Sequence, residues 1–420
     1  MTGILIALAC LLLVFLRQPV VLVLGVAVAA IHEFVARGSS AEYLVQDLWF
    51  TIDRDVLLPI PMFILAGNIM SRGEIARRLI DIMVHLTAGV RGGLAVATIL
   101  SCAAFAAISG SSIVTLAAIG SIMYPALLKE GYPKPFALGV LCSGGTLGIL
   151  IPPSIPMMLY GIITETSIIK LFMGGIGPGL LLTLFLGAYC AWQAPVTAAR
   201  QFSGSGLVRA IGRGGPALLL PVILMGGIYS GHFTTTEAAV VSLVYALAVE
   251  GLYYRDIRLA DLGGMIGDTI KLFGTLVPLL AIAGSFNVIL DYEGIPKLFV
   301  AWITQWVTDP VSAGIVLNVI LLLAGCFMDI GSAILILSPL LLPLMQSQGY
   351  DPVHVGIITT MNLEIGYITP PVGLNLFVAM SIFKEGFGTI VRGSVPFVIV
   401  MAIPLVIVTY WPAVVFWFVR

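Results

Sequence analysis

The sequence predicts an all-α, polytopic membrane protein built as an inverted structural repeat, with two re-entrant hairpins and two broken helices. Three observations lead to this fold class. Of the 420 residues, 59% are hydrophobic and 10% are charged, whereas a soluble domain carries about 25% charged residues. Glycine and proline recur along the chain at a nearly constant offset. Four short breaks rich in Gly, Ser and Pro interrupt the apolar segments.

The composition also limits the class of function. A formal net charge of −1 gives no indication of a nucleic-acid partner, and the lipid bilayer is the expected environment. The longest polar connection, roughly 197–215, is too short to fold as a soluble domain. The N-terminus lacks the features of a signal peptide, so residues 3–16 are predicted to be a retained helix. The five cysteines have no ligand-like spacing and are predicted to be small buried residues.

The repeat is indicated by the constant spacing between matching glycine and proline residues. The pair Pro152 and Pro153 recurs as Pro370 and Pro371, an offset of 218 in the numbering (370 − 152). The same offset joins Pro125 to Pro343, Gly131 to Gly349, Gly148 to Gly366, Gly175 to Gly393 and Pro178 to Pro396, and an offset of 217 joins Pro61 to Pro278 and Gly67 to Gly284. Because glycine and proline mark backbone geometry, the constant offset indicates two copies of one fold.

The first copy is predicted to cover residues 1–195. It contains, in order, spans at 3–16, 19–37 and 53–71, an amphipathic arm helix at 74–86, a hairpin at 92–128 interrupted by "SGSS", a broken helix at 135–166 interrupted by "IPPS", and a closing span at 171–193. Residues 196–215 are predicted to be a cytoplasmic linker.

The second copy is predicted to cover residues 216–420. It contains spans at 216–230, 236–254 and 262–291, an arm helix at 294–307, a hairpin at 310–346 interrupted by "MDIGS", a broken helix at 353–384 interrupted by "TPPVG", and a closing span at 394–419. Thr234 and Glu237 have the spacing of a capping box and predict a helix start near 236.

Charge predicts the orientation. If both hairpins return to the side from which they start, fifteen of the Lys and Arg residues share one side and five share the other. The positive-inside rule makes the first side the cytoplasm. The ends of the first hairpin are basic, at Arg91 and Lys129, whereas those of the second are not. The first hairpin is therefore predicted to open inward and the second outward, which is an inverted repeat.

The four breaks predict binding sites. They are "ISGSS" (108–112), "GILIPPS" (148–154), "MDIGS" (328–332) and "GYITPPV" (366–372). Irregular backbone at membrane depth is tolerated only where it is buried in protein or lines a watery cavity. Each break frees carbonyl oxygens, which suit a hard cation such as Na⁺, and exposes N–H groups that favour an anion. Paired breaks in two halves indicate the site of a secondary transporter, although a single Pro-Pro is more often a kink.

Asp329 is the single residue that most clearly indicates function, because a carboxylate in the membrane with no cation nearby in sequence is by default functional. It could contact substrate hydroxyls, bind a cation or carry a proton, and the alternative is a hairpin tip that faces bulk water. Glu364 precedes the second break, and a position that only faces the scaffold is the alternative to a functional role. Glu165 is predicted to be solvated near the end of its segment.

Several stretches resemble the large membrane subunit of the tripartite ATP-independent periplasmic (TRAP) transporters, within the ion-transporter superfamily. They are "AISGSSIVTLAAIGSIMYPALLKEGY", "GTLGILIPPSIPMMLYG", "HFTTTEAAVVSLVYAL" and "NLEIGYITPPVGLNLFVAM". The resemblance implies an elevator, in which two hairpins and two broken helices form a transport domain that slides against a scaffold. It also implies a non-enzymatic symporter of the bacterial inner membrane that couples Na⁺ to uptake of an organic acid such as sialic acid or a dicarboxylate. The implied partners are a periplasmic substrate-binding protein and a separate small membrane subunit of about four helices.

The resemblance also implies site residues. One Na⁺ site matches Ser109, Ser112, Gly148 and the carbonyl of Ile151, and a second matches Gly325, Gly331, Gly366 and Thr369. The substrate-contacting positions match Ser109, Ser154 and Asp329. The two halves are not strictly symmetric here, since Ser154 is opposed by Val372.

Other functions compete with this interpretation. An ATP-driven pump is disfavoured because no G-x-x-x-x-G-K-[ST] loop occurs. An intramembrane protease would need a catalytic set that the sequence does not suggest. A passive channel stays an alternative, as does a relative in the same superfamily that works without a binding protein and is coupled to Na⁺ or H⁺. The solute, the Na⁺ stoichiometry and a proton role for Asp329 stay open.

Overall fold

A computed structural model describes residues 2–16, 18–35, 41–194 and 202–419. Over these ranges the regular structure is entirely helical. The helices of the first copy are α1 (Thr2–Phe15), α2 (Val20–Phe34), α3 (Ala41–Ile52), α4 (Pro59–Arg72), α5 (Glu74–Leu86), α6 (Gly93–Ser109), α7 (Ser112–Lys129), α8 (Lys134–Leu150), α9 (Ile155–Ile163) and α10 (Ile168–Gln193).

The second copy has ten more helices. They are α11 (Gly204–Tyr229), α12 (Thr235–Leu247), α13 (Leu259–Tyr292), α14 (Ile295–Ile303), α15 (Pro310–Phe327), α16 (Ile330–Ser347), α17 (Pro352–Gly366), α18 (Leu374–Phe383), α19 (Phe387–Tyr410) and α20 (Ala413–Phe416). Within the described ranges, nine helices are long and apolar enough to cross a membrane, and the pair α8 and α9, bent by 41°, would make a tenth span. The predicted all-α polytopic fold is confirmed.

The repeat holds for the hairpins and the broken helices. Helices α7 and α16 begin and end at the offset of 218 read from the sequence (330 − 112 and 347 − 129), and α8 and α17 begin at the same offset (352 − 134). Each hairpin is two apolar helices that are joined by a short turn and pack on each other, α6 with α7 and α15 with α16. Each broken helix is a pair, α8 with α9 and α17 with α18, separated by a Pro-Pro step whose peptide bond is cis.

One part of the repeat differs between the copies. Shifted by the offset of 217 that joins Pro61 to Pro278, α3 and α4 together match α13 to within three residues at each end, since 41 becomes 258 and 72 becomes 289. In the first copy this helix is interrupted by a short 3₁₀ turn at Asp55–Leu57 and by Pro59, whereas α13 runs unbroken for 34 residues. Helix α3 was not predicted from the sequence. It lies along α13, where Ser285 Oγ donates to Asp47 Oδ2 at 2.8 Å.

The helix α11 corrects one prediction. It begins at Gly204, inside the stretch predicted to be a polar linker, and not at 216; positions 196–201 of that linker lie outside the described residues. Ser203 caps the helix, since its side chain accepts a hydrogen bond from the N–H of Gly206 at 3.2 Å. The buried residues of α11 recur every three or four positions, at Gly206, Ala210, Gly214, Ala217, Leu220, Leu224 and Ile228. The polar residues therefore occupy one side of an amphipathic helix whose other side packs on α5.

The first halves of the two broken helices lie at the centre of the molecule. All residues of α8 from Ala137 to Leu150, and all residues of α17 from Val353 to Gly366, are buried. Helix α8 packs on α6, α7 and α19, while α17 packs on α15, α16 and α10. The predicted capping box at Thr234 and Glu237 is present at the start of α12. The hairpins and the broken helices thus form one central unit, which positions the four breaks.

Candidate functional site

The tip of the first hairpin rests on the first broken helix. Helix α6 ends at Ser109, and Gly110 then adopts a left-handed conformation with φ of 61°. A Cβ atom at Gly110 would lie 2.9 Å from the carbonyl oxygen of Pro153, so only glycine fits this close approach. The N–H of Ile155 donates to the carbonyl oxygen of Gly110 at 3.3 Å. The first two breaks predicted from the sequence are therefore in direct contact.

A buried polar cluster forms at this contact. The hydroxyls of Ser109 and Thr115 are hydrogen-bonded at 2.7 Å, and both side chains are at most 1% exposed. A Cβ atom at Gly148 would lie 2.5 Å from the carbonyl oxygen of Ser111 and from Thr115 Oγ1. The cluster offers two hydroxyls and a backbone carbonyl without any charged side chain. Thr115 was missed in the sequence; its signal is a hydroxyl one turn after Ser112 in an apolar helix.

The other predicted residues of the first break have separate partners. Ser112 Oγ accepts a hydrogen bond from Asn375 Nδ2 at 2.5 Å. Ile151 ends α8, where its N–H donates to the carbonyl oxygen of Leu147, and its side chain packs against Gly179. Ser154 caps α9, accepting from the N–H of Met157 at 3.3 Å and donating to the carbonyl oxygen of Ile149. The structure thus groups Ser109 with Gly148, and places Ser112, Ile151 and Ser154 around them.

The tip of the second hairpin is built around Asp329. This residue is the N-cap of α16 and stands at the repeat offset from Ser111, the N-cap of α7 (329 − 111). Its carboxylate accepts hydrogen bonds from the N–H of Ser332 at 3.0 Å and from the Ser332 hydroxyl. Asp329 is half-buried, so its carboxylate is anchored by the helix start while remaining accessible. Gly331 lies beside it, against Leu276 of α13 and Leu159 of α9.

The second break brings backbones into contact. A Cβ atom at Gly366 would lie 2.6 Å from Cα and C of Gly325, so α15 and α17 approach as closely as two glycines allow. Thr369 lies in the next turn, where its N–H donates to the carbonyl oxygen of Gly366 at 3.0 Å and its hydroxyl donates to that of Ile365 at 2.7 Å. The structure therefore groups Gly325, Gly366 and Thr369, whereas Gly331 has different neighbours.

A second missed residue, Asn375, follows this break. It is fully buried at the start of α18, and its N–H donates to the carbonyl oxygen of Tyr367 at 3.1 Å. The hydroxyl of Tyr367 accepts from the N–H of Ile330, the first residue of α16, at 2.9 Å. In the sequence, the only signal was a polar amide one residue into an apolar helix. Glu364 in α17 is fully buried as well, and neither carboxylate oxygen has a hydrogen-bond partner in the described part of the chain.

A cavity of about 480 Å³ lies between the helices α3 and α13 and the central unit. Its polar lining comes from Asp47, Arg54, Glu165, Asn287 and Asp291, and the wall of the central unit comes from the end of α9 and from Pro339 to Pro343 of α16. Glu165 is exposed there, as predicted. In the described ranges, no group of three or more His, Cys, Asp or Glu residues could hold a metal ion.

A family model described as "Tripartite ATP-independent periplasmic transporter, DctM component" matches residues 6–414. The chain belongs to this family. The resemblance found in the sequence motifs is thereby confirmed, and the chain is a large permease subunit of a TRAP transporter. The family is one of multi-pass membrane transporters, and the nine long apolar helices among the described residues agree with this, the hairpin helices α7, α15 and α16 being three of them.

Relatives support the assignment. The chain is 43% identical to the C4-dicarboxylate TRAP transporter large permease protein DctM of Pseudomonas aeruginosa, over 89% of this chain and 88% of that protein. It is 37% identical to the isethionate TRAP transporter permease protein DctMQ of Oleidesulfovibrio alaskensis, over 95% of this chain and 64% of that protein. It is 35% identical to the ectoine TRAP transporter large permease protein TeaC of Halomonas elongata, over 89% and 88%.

The fold also has a counterpart of known structure. The crystal structure of the YdaH transporter from Alcanivorax borkumensis superposes with a TM-score of 0.64, covering 98% of each chain at 15% sequence identity. At that identity the likeness concerns the fold alone.

Proposed function

We propose that this permease couples Na⁺ influx to the import of a carboxylate-bearing solute across the bacterial inner membrane. The observation that carries the proposal is shared by both copies: the end of a hairpin helix contacts a broken helix in a buried position, with hydroxyl and backbone carbonyl oxygens nearby. In the first copy Gly110 accepts from Ile155, and in the second Gly325 touches Gly366. Such contacts suit a hard monovalent cation, which binds hydroxyl and carbonyl oxygens.

Two Na⁺ ions would occupy these contacts. The first site would draw on Ser109, Ser112, Gly148 and the carbonyl of Ile151, with Thr115 added by its hydrogen bond to Ser109. The second would draw on Gly325, Gly331, Gly366 and Thr369. Both sets are neutral, so the positive charge of bound Na⁺ is available to attract an anionic solute between the hairpin tips.

The solute would lie between the two hairpin tips, close to the helix starts at the breaks. The starts of α7, α9 and α16 carry the positive ends of the helix dipoles, which favour a carboxylate, and Ser109, Ser154 and Asp329 would contact it. C4-dicarboxylates and ectoine, named for two relatives, both carry a carboxylate. Isethionate, named for a third relative, carries a sulfonate instead, so the shared requirement is an anionic head group.

The family implies the two partners predicted from the motifs, a small membrane subunit and a periplasmic substrate-binding protein. The binding protein would deliver the solute, and the small subunit would complete the membrane complex. The central unit would then carry solute and ions past α3 and α13 as an elevator. The cavity of about 480 Å³ between these two parts would give the unit room to move.

The test is thermal unfolding of the purified complex in equal concentrations of NaCl, KCl and choline chloride. A ligand that binds only the folded state stabilises it by RT ln(1 + [L]/Kd), about 2.7 kcal/mol at 100 times Kd. We expect stabilisation by Na⁺ alone, weakened in Ser109→Ala and in Thr369→Val.

Each variant has a matched control. Ser101 is a buried serine two turns earlier in α6, and Thr360 makes the same type of hydroxyl bond as Thr369, to the carbonyl oxygen of Gly356. Ser101→Ala and Thr360→Val should keep the Na⁺ response. Equal stabilisation by all three salts, together with uptake driven by a pH gradient, would replace Na⁺ coupling by H⁺ coupling.

A further inference from the structure

A continuous chain of hydrogen bonds joins the two hairpin tips through the second break. It starts at Ser112, whose hydroxyl accepts from Asn375 Nδ2 at 2.5 Å. The N–H of Asn375 donates to the carbonyl oxygen of Tyr367 at 3.1 Å. The hydroxyl of Tyr367 accepts from the N–H of Ile330 at 2.9 Å. Ile330 directly follows Asp329, so the chain ends at the tip of the second hairpin.

Every side chain in this path is buried. Ser112 is 2% exposed, Asn375 is fully buried and Tyr367 is 7% exposed. Hydrogen bonds that are shielded from water are stronger and less tolerant of small displacements than exposed ones. A shift at one hairpin tip would therefore displace the other, because the alternative leaves buried donors without acceptors.

Asn375 also carries an unused acceptor. Its Oδ1 atom is buried and has no hydrogen-bond donor in the described part of the chain. A buried amide oxygen left without a donor costs free energy. The Nδ2 atom, in contrast, is paired with Ser112.

At the matching positions of the first copy, which the structure describes, the chain is not repeated. At the repeat offset, Met157 stands opposite Asn375 and Ile149 stands opposite Tyr367 (375 − 157 and 367 − 149), and neither side chain can make these hydrogen bonds. The path therefore breaks the symmetry of the repeat. The path connects the second broken helix to both hairpins, a connection that the repeat does not by itself require.

We propose that Asn375 and Tyr367 are positioning residues that make cation binding at the first hairpin tip cooperative with cation binding at the second. The inference rests on the proposed Na⁺ coupling and adds how the two sites communicate. Ion binding at Ser109 and Ser112 fixes Ser112, which fixes Asn375, Tyr367 and the start of α16. The second site is then already ordered when its ion arrives, and by linkage the reverse also holds.

The experiment is equilibrium binding of radioactive Na⁺ to the purified complex, with choline chloride holding ionic strength constant. The wild type should bind at least two ions with a Hill coefficient clearly above 1 and approaching the number of sites. In Tyr367→Phe and in Asn375→Leu, the number of ions bound at saturation should be unchanged. The Hill coefficient should fall toward 1, and half-saturation should require about 5-fold more Na⁺ or more.

Two further variants separate coupling from general loosening. The double variant should be no less cooperative than either single variant, because all three interrupt one chain. Tyr160→Phe is the matched control: it removes another buried tyrosine hydroxyl, one that donates to the carbonyl oxygen of Pro352 at 2.9 Å and lies outside the path. It should bind Na⁺ as the wild type does.

The outcomes are distinguishable. A wild type that binds no Na⁺ would overturn the proposed function, and this inference would fall with it. A wild type that binds two ions without cooperativity, or Tyr367→Phe and Asn375→Leu complexes that keep the wild-type Hill coefficient, would overturn the coupling alone. Loss of cooperativity in Tyr160→Phe would also overturn it. If Asn375→Leu does not fold, Tyr367→Phe decides, since it removes a single oxygen atom.

Discussion

Asp329 combines two tasks in one side chain, since it caps α16 and presents a half-buried carboxylate at a hairpin tip. The two tasks can be separated because asparagine is as good an N-cap as aspartate but carries no charge. A substitution at this position therefore tests the charge while keeping the helix start.

We predict that Asp329→Asn leaves the unfolding temperature within a few degrees of the wild type and reduces uptake by at least about 100-fold, the cost of one lost charged contact of roughly 3 kcal/mol. The measurement is uptake of radiolabelled succinate, sialic acid and ectoine into proteoliposomes holding the complex, with binding protein supplied outside. Asp309→Asn is the matched control. Asp309 caps α15 in the same way, accepting from the N–H of Val311 at 2.9 Å and of Ser312 at 3.0 Å, but at the open end of the hairpin. Wild-type uptake in Asp329→Asn would remove Asp329 from the site.

The short connection between α18 and α19 is hydrogen-bonded both to the first hairpin and to the first broken helix. Glu385 accepts hydrogen bonds from Tyr124 of α7 at 2.9 Å and from Lys134 at the start of α8 at 2.7 Å. These hydrogen bonds, with the charge of Lys134, hold the pKa of the Glu385 carboxyl below its ordinary value of 4.5. The ring of Phe383 packs on Tyr124, with centroids 4.8 Å apart.

The lowered pKa predicts the sign of a pH effect. A carboxyl whose pKa is lower in the folded state stabilises that state above its unfolded pKa, and the contribution disappears as the pH falls through the folded value. We therefore expect the unfolding temperature to drop below about pH 4.5 less steeply in Glu385→Gln than in the wild type. The measurement is thermal unfolding across this range, and identical pH profiles for the two proteins would contradict the assignment. Glu165→Gln, at an exposed carboxyl, is the control.

A helix could be predicted from the sequence where local residues define its ends, and was missed or misplaced where tertiary packing defines it. The hairpins and broken helices were predicted because glycine, serine and proline define their turns locally. Helix α3 was missed because only its packing on α13, with Thr51 against Gly284, makes it an element of its own. The start of α11 was misplaced because its arginines and glycines suggest a linker. Its buried face becomes apparent only beside Ile82 and Arg78 of α5, which surround Gly214.

In the candidate site, too, the sequence predicted the residues that local motifs define and missed those that depend on tertiary contacts. Ser109 and Gly148 were predicted together because they lie at the breaks. Thr115 and Asn375 were missed because their partners, Ser109 and Ser112, are reached only in three dimensions, six and 263 residues away in sequence. A hydroxyl or an amide in an apolar helix does not by itself indicate which residue it will meet.

The whole molecule consists of the central unit and the helices around it, and the cavity beside α13 lies on their boundary. Val288 lines this cavity and is 54% exposed. If the central unit moves past α13, the cavity must change shape in every cycle. An object fixed inside it would then stop transport without touching the proposed binding sites.

We predict that a bulky maleimide attached to Val288→Cys abolishes uptake in proteoliposomes, while the unlabelled variant transports. Leu298→Cys in α14, 64% exposed and outside the cavity lining, is the control, and its labelled form should remain active. Cys10 is replaced in the background, because the other four cysteines are buried. Full uptake after complete labelling of Val288→Cys would contradict an elevator at this boundary.

The unbroken helix α13 has a further consequence, for the membrane itself. At about 1.5 Å per residue its 34 residues extend about 51 Å, well beyond a hydrocarbon core of about 30 Å. The stretch between Lys271 and Asp291 is entirely uncharged, and its length of about 29 Å matches that core. With that stretch in the hydrocarbon core, the turns before it would lie among the head groups, and there Arg72 at the end of α4 pairs with Asp268 at 2.5 Å. The uncharged stretch of α13 thus matches one bilayer thickness. A thicker or thinner bilayer would have to tilt the helix or strain the ion pair between Arg72 and Asp268.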